Sequence, residues 1–484
     1  MSERGSVRAT VGFISAGKPT PRPDSGTGQA NTISSILIDH LGQDAGALPV
    51  TSGSWPAYEH VNVQGGLDRW LESWPGEYEV HGLAGFRHRM FGLADLCQPG
   101  MESGMALAGV PVSEQPSGPD GQMRSCVQCG LYLLSDGDLR MVLLLRGSDQ
   151  RGPQPDVSLE IAATDPGAAR QALSEIGELG LRHSVYRRQV VSFDPGVFGP
   201  RRGGLLAFHQ RPQMTREQLV LPDGVLEGVE RQILGVARHR ELLLAHGQHL
   251  KRGVLLYGAP GVGKTHTVRY LISRLPEVSV VILSASALQF IQQACTIARD
   301  LQPAMLIIED VDLIGEERGA HPGQNPLLFQ LLNEMDGLRD DIDVTFVLTT
   351  NRVDVLEPAL ASRPGRIDHA VEIPLPDAEG RRALIELYRG SLDLSLADPD
   401  EVVRRTEGVT ASFIKELLRR AALVAVEEAE EAEGGGSAQP PAQRSLRVTD
   451  RHLHAALDVL LGDGNALTRR LLGAGGGGGR AESA

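Results

Sequence analysis

The stretch Gly258-Ala259-Pro260-Gly261-Val262-Gly263-Lys264-Thr265 limits what this chain can be more than any other. It matches G-x-x-x-x-G-K-[ST] at every fixed position. The run Gly253-Val254-Leu255-Leu256-Tyr257 before it reads as a buried parallel strand. His266 to Leu275 after it reads as a helix, stopped by Pro276. Glycines let backbone N–H groups approach phosphate oxygens without a Cβ in the way. The start of the following helix adds free N–H groups and a partial positive charge. In such a loop Lys264 reaches the phosphates as a point charge, and Thr265 places its hydroxyl on Mg²⁺. The cradle runs from Gly258, Ala259, Pro260, Gly261, Val262 and Gly263 through Lys264, Thr265 and His266. The competing reading is a chance match in a Gly-rich chain; strand and helix in the required places weigh against it.

Three further constellations follow in order. Leu306-Ile307-Ile308-Glu309-Asp310-Val311-Asp312 is an apolar strand ending in adjacent carboxylates. Glu309 can hold a metal and Asp310 can orient an attacking water; alone, the same residues are a solvated acidic strand end. Thr349-Thr350-Asn351 ends the Val344–Leu348 run, where Asn351 can reach a phosphate or its attacking water, or simply form a turn. Ala361-Ser362-Arg363-Pro364-Gly365-Arg366 sets two arginines in a rigid turn suited to bidentate phosphate contact, though most arginines are only surface charge.

Apolar content of 41% and charged content of 22% over 484 residues indicate a globular chain of several domains. A net charge of −14 argues against broad electrostatic binding to nucleic acid. With no apolar signal segment and no run long enough to span a bilayer, the expected location is the cytoplasm and no membrane partner is expected. The four cysteines are too few for a disulfide framework, and the single pair Cys126-x-x-Cys129 lacks the second pair that a structural zinc site needs, so it reads as incidental.

Residues 1–30 read as a disordered leader and 31–97 as a small domain whose role its residues do not reveal. Residues 98–122 read as a linker. Residues 123–215 read as an α+β unit, with a hairpin at Ser135-Asp136-Gly137-Asp138. From 216 to 376, apolar runs at Val278–Leu283, Ala304–Ile308, Val344–Leu348 and His369–Ile373 alternate with helical segments, which specifies a parallel α/β sheet. From 377 to 463 the pattern is helical, with Gly434–Gln443 as a loop; 464–484 is a Gly-rich tail. The acidic run from Glu427 to Glu433 reads as a solvated helix end.

Taken together, and in this order, the four constellations resemble the AAA ATPase family, ATPases associated with diverse cellular activities, over about 218–463. Leu331-Leu332-Asn333-Glu334-Met335-Asp336-Gly337-Leu338 resembles its intersubunit signalling segment, and Gly408-Val409-Thr410-Ala411 the start of its lid helix. The resemblance implies a P-loop NTPase sheet flanked by helices over 216–376, a small all-helical lid over 377–463, and an α+β region before them. It also implies ATP and Mg²⁺ as ligands, with Thr265 and Glu309 on the metal. Lys264 and Asp310 become catalytic, Asn351 the sensor 1 residue, and Arg363 and Arg366 arginine fingers acting on a neighbouring subunit. Fingers supplied in trans imply a homo-oligomer, a hexamer, that uses ATP to remodel a protein substrate recruited by the N-terminal region.

This sequence departs from the family's pattern twice. Glu309 precedes Asp310 where the family usually has Asp then Glu; a mitochondrial inner-membrane branch shows the same order. The shorter Asp310 loses roughly 1.5 Å of reach. Substrate-threading members carry an aromatic-hydrophobic-Gly pore loop, whereas Ser286-Ala287-Leu288-Gln289-Phe290-Ile291-Gln292-Gln293 has no such Gly. Phe290 is open to two readings, pore aromatic or core residue. The alternative function is therefore an ATP-binding switch or scaffold with little hydrolysis and no threading. A DNA-associated motor is disfavoured by the acidic charge.

Overall fold

The computed structural model describes residues 32–42, 45–87, 89–100, 104–148, 155–193, 206–312, 326–337, 342–353, 367–432 and 446–461. The expected leader and tail lie outside them, as do Arg363 and Arg366. No helix among the described residues is long and apolar enough to cross a membrane. The chain divides into two compact units, 1–116 with 123–184, and 117–122 with 185–484.

The first unit is built on an antiparallel sheet. Its strands are β1 (Thr51–Trp55), β2 (Glu77–Ala84), β3 (Ala106–Ala108), β6 (Cys129–Asp136), β7 (Leu139–Arg146) and β8 (Val157–Ala163), in the order β1-β8-β7-β6-β2-β3; β4 (Val112–Pro116) and β5 (Met123–Val127) pair separately. The unbroken run Met141-Val142-Leu143-Leu144-Leu145 follows from this placement. Successive side chains point to opposite faces. Leu143 and Leu145 enter a core under the helices His60–Glu72 and Pro166–Arg182, while Val142 and Leu144 enter a second core with the helix Ile33–Leu41. The two covering helices touch through glycine: a Cβ on Gly66 would stand 2.3 Å from the Ile176 carbonyl.

The expected hairpin is present, with Asp136 opposite Leu139 and Gly137 at φ 55°. The expected boundaries fail. Residues 31–97 and 123–184 share one sheet, since β2 pairs with β6 and β1 with β8, and part of the expected linker is β3 and β4. Strand periodicity identifies a strand but not its partner.

The second unit carries the sheet β10-β9-β12-β13-β14-β11-β15. Its strands are β9 (Val190–Phe193), β10 (Leu206–His209), β11 (Arg252–Tyr257), β12 (Ser279–Leu283), β13 (Ala304–Ile308), β14 (Val344–Thr350) and β15 (His369–Glu372). All pairs are parallel except β9 with β10. Residues 190–193 and 206–209, expected to belong with the preceding α+β region, thus extend this sheet instead. The fully apolar β13 and the buried β14 are strands covered on both faces, as their composition requires. Four helices, Ala378–Tyr388, Pro399–Arg405, Ala411–Ala432 and Asp450–Leu461, pack around Phe413, Ile414, Leu417 and Leu453. A short parallel pair, β16 (Asp393–Ser395) with β17 (Arg447–Thr449), joins this lid, so the all-helical expectation fails there.

Candidate active site

Register places the site. Tyr257 of β11 lies beside Thr350 of β14, and Leu348 of β14 beside Ile308 of β13. The residues that follow, Gly258, Asn351 and Glu309, therefore emerge at one edge, the carboxyl ends of parallel strands where α/β proteins bind ligands.

The loop takes a shape that demands glycine. Gly258, Gly261 and Gly263 have φ of 149°, 81° and 119°. A Cβ on Gly258 would stand 2.3 Å from the Ile373 carbonyl, and one on Gly261 would stand 2.9 Å from Ser412 Oγ. Lys264 opens the helix Lys264–Arg274 and is 7% exposed. Its ammonium donates to the carbonyls of Gly258 at 2.8 Å and Ala259 at 3.0 Å, and to Asn351 Oδ1 at 2.7 Å. Burial pulls its pKa down, and the nearby charges of Asp310 and Asp312 oppose that pull.

Asn351 continues the chain of polar contacts, donating from Nδ2 to Asp310 Oδ1 at 3.4 Å. Asp310 has φ 52°, a left-handed conformation that costs on the order of 1 kcal/mol outside glycine, and its N–H donates to Thr349 Oγ1 at 3.1 Å. Lys264, Asn351 and Asp310 thus form one connected group, drawn from three segments that the sequence singled out separately.

Glu309 is half-buried beside this group. Burial, then the charge of Asp310, pushes its carboxyl pKa up, while Arg269 pulls it down. Two adjacent carboxylates under that tension suit a hard cation with oxygen ligands. Thr265, exposed on the first helical turn, is the second candidate donor. A Mg²⁺ ion held by one or two protein oxygens and completed by substrate phosphates fits this donor set, and among the described residues no cluster of three or more His, Cys, Asp or Glu forms a metal cage. The His266 pKa is lowered by burial, then by Arg269 and Lys415, which keeps the ring neutral near pH 7.

Two groups escaped the sequence reading. Asp312 is 8% exposed and accepts hydrogen bonds from Thr350 Oγ1 at 2.9 Å and from the Asn351 N–H at 3.1 Å, fixing the backbone that presents Asn351. In the sequence it is only the end of an acidic run; its partners come from another segment. The second group is at the start of the lid helix, where the Ser412 N–H donates to the Gly261 carbonyl at 3.1 Å and the Thr410 and Ser412 hydroxyls crowd Gly261. The helix is legible in the sequence; what it closes upon is not.

Phe290 is half-buried and stacks on the buried Phe193 of β9, with ring centroids 5.3 Å apart and 12° between planes. Cys126 and Cys129 are buried, and burial pushes both thiols up to about 12, leaving them protonated and inert.

Residues 254–375 match the model of the ATPase family associated with various cellular activities, AAA. The proteasome-activating nucleotidase of Pyrococcus horikoshii is 28% identical over 293 residues, covering 58% of this chain and 68% of that protein. Its counterpart in Thermococcus kodakarensis is 28% identical over 57% of this chain and 68% of its own length. The ATP-dependent zinc metalloprotease FtsH of Mycobacterium bovis is 34% identical over 224 residues, 42% of this chain but only 29% of that protein. The matched span holds the loop, the carboxylates and Asn351, the groups that geometry brings together at one edge of the sheet, and on those grounds residues 254–375 are an AAA domain of the P-loop ATPase kind, a domain that hydrolyses ATP.

Proposed function

We propose that this chain is a Mg²⁺-dependent ATPase that assembles into a homo-oligomeric ring, a hexamer, and couples ATP binding and hydrolysis to the remodelling of a protein substrate or complex. The observation that carries the reading is the connected group Lys264–Asn351–Asp310 at the mouth of the glycine loop. Lys264 binds the phosphates, Asp310 takes the proton of the attacking water, and Asn351 holds the two in register. Thr265 and Glu309 would hold Mg²⁺, which would supply positive charge against the phosphates. Arg363 and Arg366 reach the ATP of the adjacent subunit, and the lid, touching Gly261 through Ser412, carries the nucleotide state outward. The relatives named for activating a proteasome and for ATP-dependent proteolysis support a protein substrate. The N-terminal unit recruits it, in the cytoplasm and without nucleic acid or membrane.

The test is ATP turnover of the full chain. Lys264→Ala should lower kcat about 10²–10³-fold, the scale of losing a preorganised donor. Mixing that variant with Arg363→Ala/Arg366→Ala chains should restore part of the activity through hybrid interfaces. Turnover unchanged by Lys264→Ala refutes the site, and no restoration at any mixing ratio refutes the fingers in trans.

The stacking of Phe290 on Phe193 favours a second reading, an ATP-binding switch or scaffold that threads nothing. Turnover measured with and without an unfolded protein separates the two: strong stimulation eliminates the scaffold.

A further inference from the structure

The parallel sheet has a second end. At the amino ends of β11, β13 and β14, opposite the glycine loop, lies a cavity of about 400 Å³. It sits within the size range of small-molecule sites, roughly 300–1,000 Å³. Four guanidinium groups line it, those of Arg238, Arg240, Arg252 and Arg274. Against them stand Glu277 and Asp343, and both are already engaged. Asp343 lies 3.5 Å from Arg240 and 3.9 Å from Arg252, and Glu277 pairs with Arg188 at 2.9 Å. Arg238 and Arg274 are exposed and have no ion-pair partner among the described residues.

Arg252 is the informative member. It is 8% exposed, and it donates from Nη1 to the Leu250 carbonyl at 2.7 Å and from Nη2 to the Ile233 carbonyl at 3.4 Å. Its Nε is buried with no hydrogen-bond partner. A buried, incompletely satisfied cation is costly, and a bound anion is one of the few things that would complete it. The wall beside it is irregular. Arg231–Gly235 forms a π turn, a feature frequent at functional sites, and His239 breaks the next helix with φ −106° and ψ 17°. Arg238 sits between the two interruptions.

We infer that this cavity is a second anion site, separate from the glycine loop, that takes a phosphorylated small molecule of about mononucleotide size. All four cations are arginines, whose planar forks match phosphate oxygens in pairs. Leu234, Leu275, Pro276 and Val278 supply apolar wall for an organic body. The chain's net charge of −14 repels a long polyanion, so a local cluster of arginines selects a small one. Arg274 is the last residue of the helix that Lys264 begins, so an occupant there grips the far end of the element that presents Lys264.

The experiment is calorimetric titration of the full chain, saturated with ADP and Mg²⁺ to occupy the glycine loop, with inorganic pyrophosphate and, separately, with AMP. The expected result is one further equivalent bound, with AMP tighter than pyrophosphate. Arg238→Ala/Arg274→Ala should weaken both at least about tenfold, the scale of losing one charge-assisted hydrogen bond, with Tm and ATP turnover unchanged. Arg252→Met, checked for folding by circular dichroism, should abolish the extra equivalent. No binding beyond the ADP site, or equal affinity in wild type and the double variant, overturns the site. AMP binding no tighter than pyrophosphate overturns the organic-body assignment.

Discussion

The two ends of one parallel sheet solve opposite problems. At the carboxyl end, Lys264 is buried but donates to three acceptors, and Asn351 and Asp310 complete the set. At the amino end, Arg252 is as deeply buried, yet its Nε has no partner and its nearest carboxylate oxygen is 3.9 Å away. Burial pulls both pKa values down, that of Arg252 to about 10. The difference teaches that burial alone does not mark a finished site. A cation closed into a network is set for a ligand that displaces or extends that network, whereas one left partly open holds an unmet demand within the fold.

Removing the buried cations should expose that difference. Arg252→Ala takes donors from the Leu250 and Ile233 carbonyls and a counter-charge from the 6% exposed Asp343. It should destabilise the second unit by about 3 kcal/mol in denaturant unfolding. Arg252→Met loses the same donors and counter-charge but keeps the buried apolar stem, worth about 2 kcal/mol, and should therefore cost only about 1 kcal/mol. If Met costs as much as Ala, the guanidinium is a fully compensated structural group and the contrast between the two ends breaks.

At the carboxyl end the effect should fall on catalysis instead. Asn351→Ala removes the acceptor of Lys264 Nζ and the donor to Asp310, leaving the carbonyl anchors of the lysine in place. It should lower kcat about 10²-fold, or roughly 2.7 kcal/mol, with Tm shifted by only a few degrees. A large loss of Tm with intact kcat would make Asn351 a structural residue.

Legibility in the sequence follows contiguity. The glycine loop, the Glu309-Asp310 pair and Asn351 each sit in a short run whose chemistry and flanking periodicity can be read together, and the strand order then brings them to one edge. The lid helices were legible for the same reason. The amino-end cavity was not: its arginines at 238, 240, 252 and 274 and its carboxylate at 343 are scattered, and each alone is a surface charge. Asp312 was visible but unassigned because its partners, Thr350 and the Asn351 N–H, are on a strand some forty residues on. The division of 31–215 failed because strand pairing is a long-range choice: β1 closes on β8 across a hundred residues of chain, and β9 turns away to join the ATPase sheet.

The smallest effect calibrates the contrast by removing burial from it. Glu416, one turn into the lid helix that meets Gly261, accepts two hydrogen bonds from Arg419, at 2.6 and 2.7 Å, and one from Arg420 at 2.8 Å. These bonds pull its pKa from 4.5 to about 2. A depressed carboxyl contributes stability that is present above pH 4.5 and lost as pH falls towards 2. Arg419 is 64% exposed, so solvent screens the pair and the contribution should stay below about 1 kcal/mol. Glu416→Gln should therefore lower stability slightly at pH 7 and match wild type near pH 2, as read from chemical unfolding at the two pH values. A loss at pH 7 as large as that of Arg252→Ala would mean that hydrogen-bond count, not burial, sets the weight of a charge in this fold, and the distinction between the two ends of the sheet would have to be redrawn on that basis.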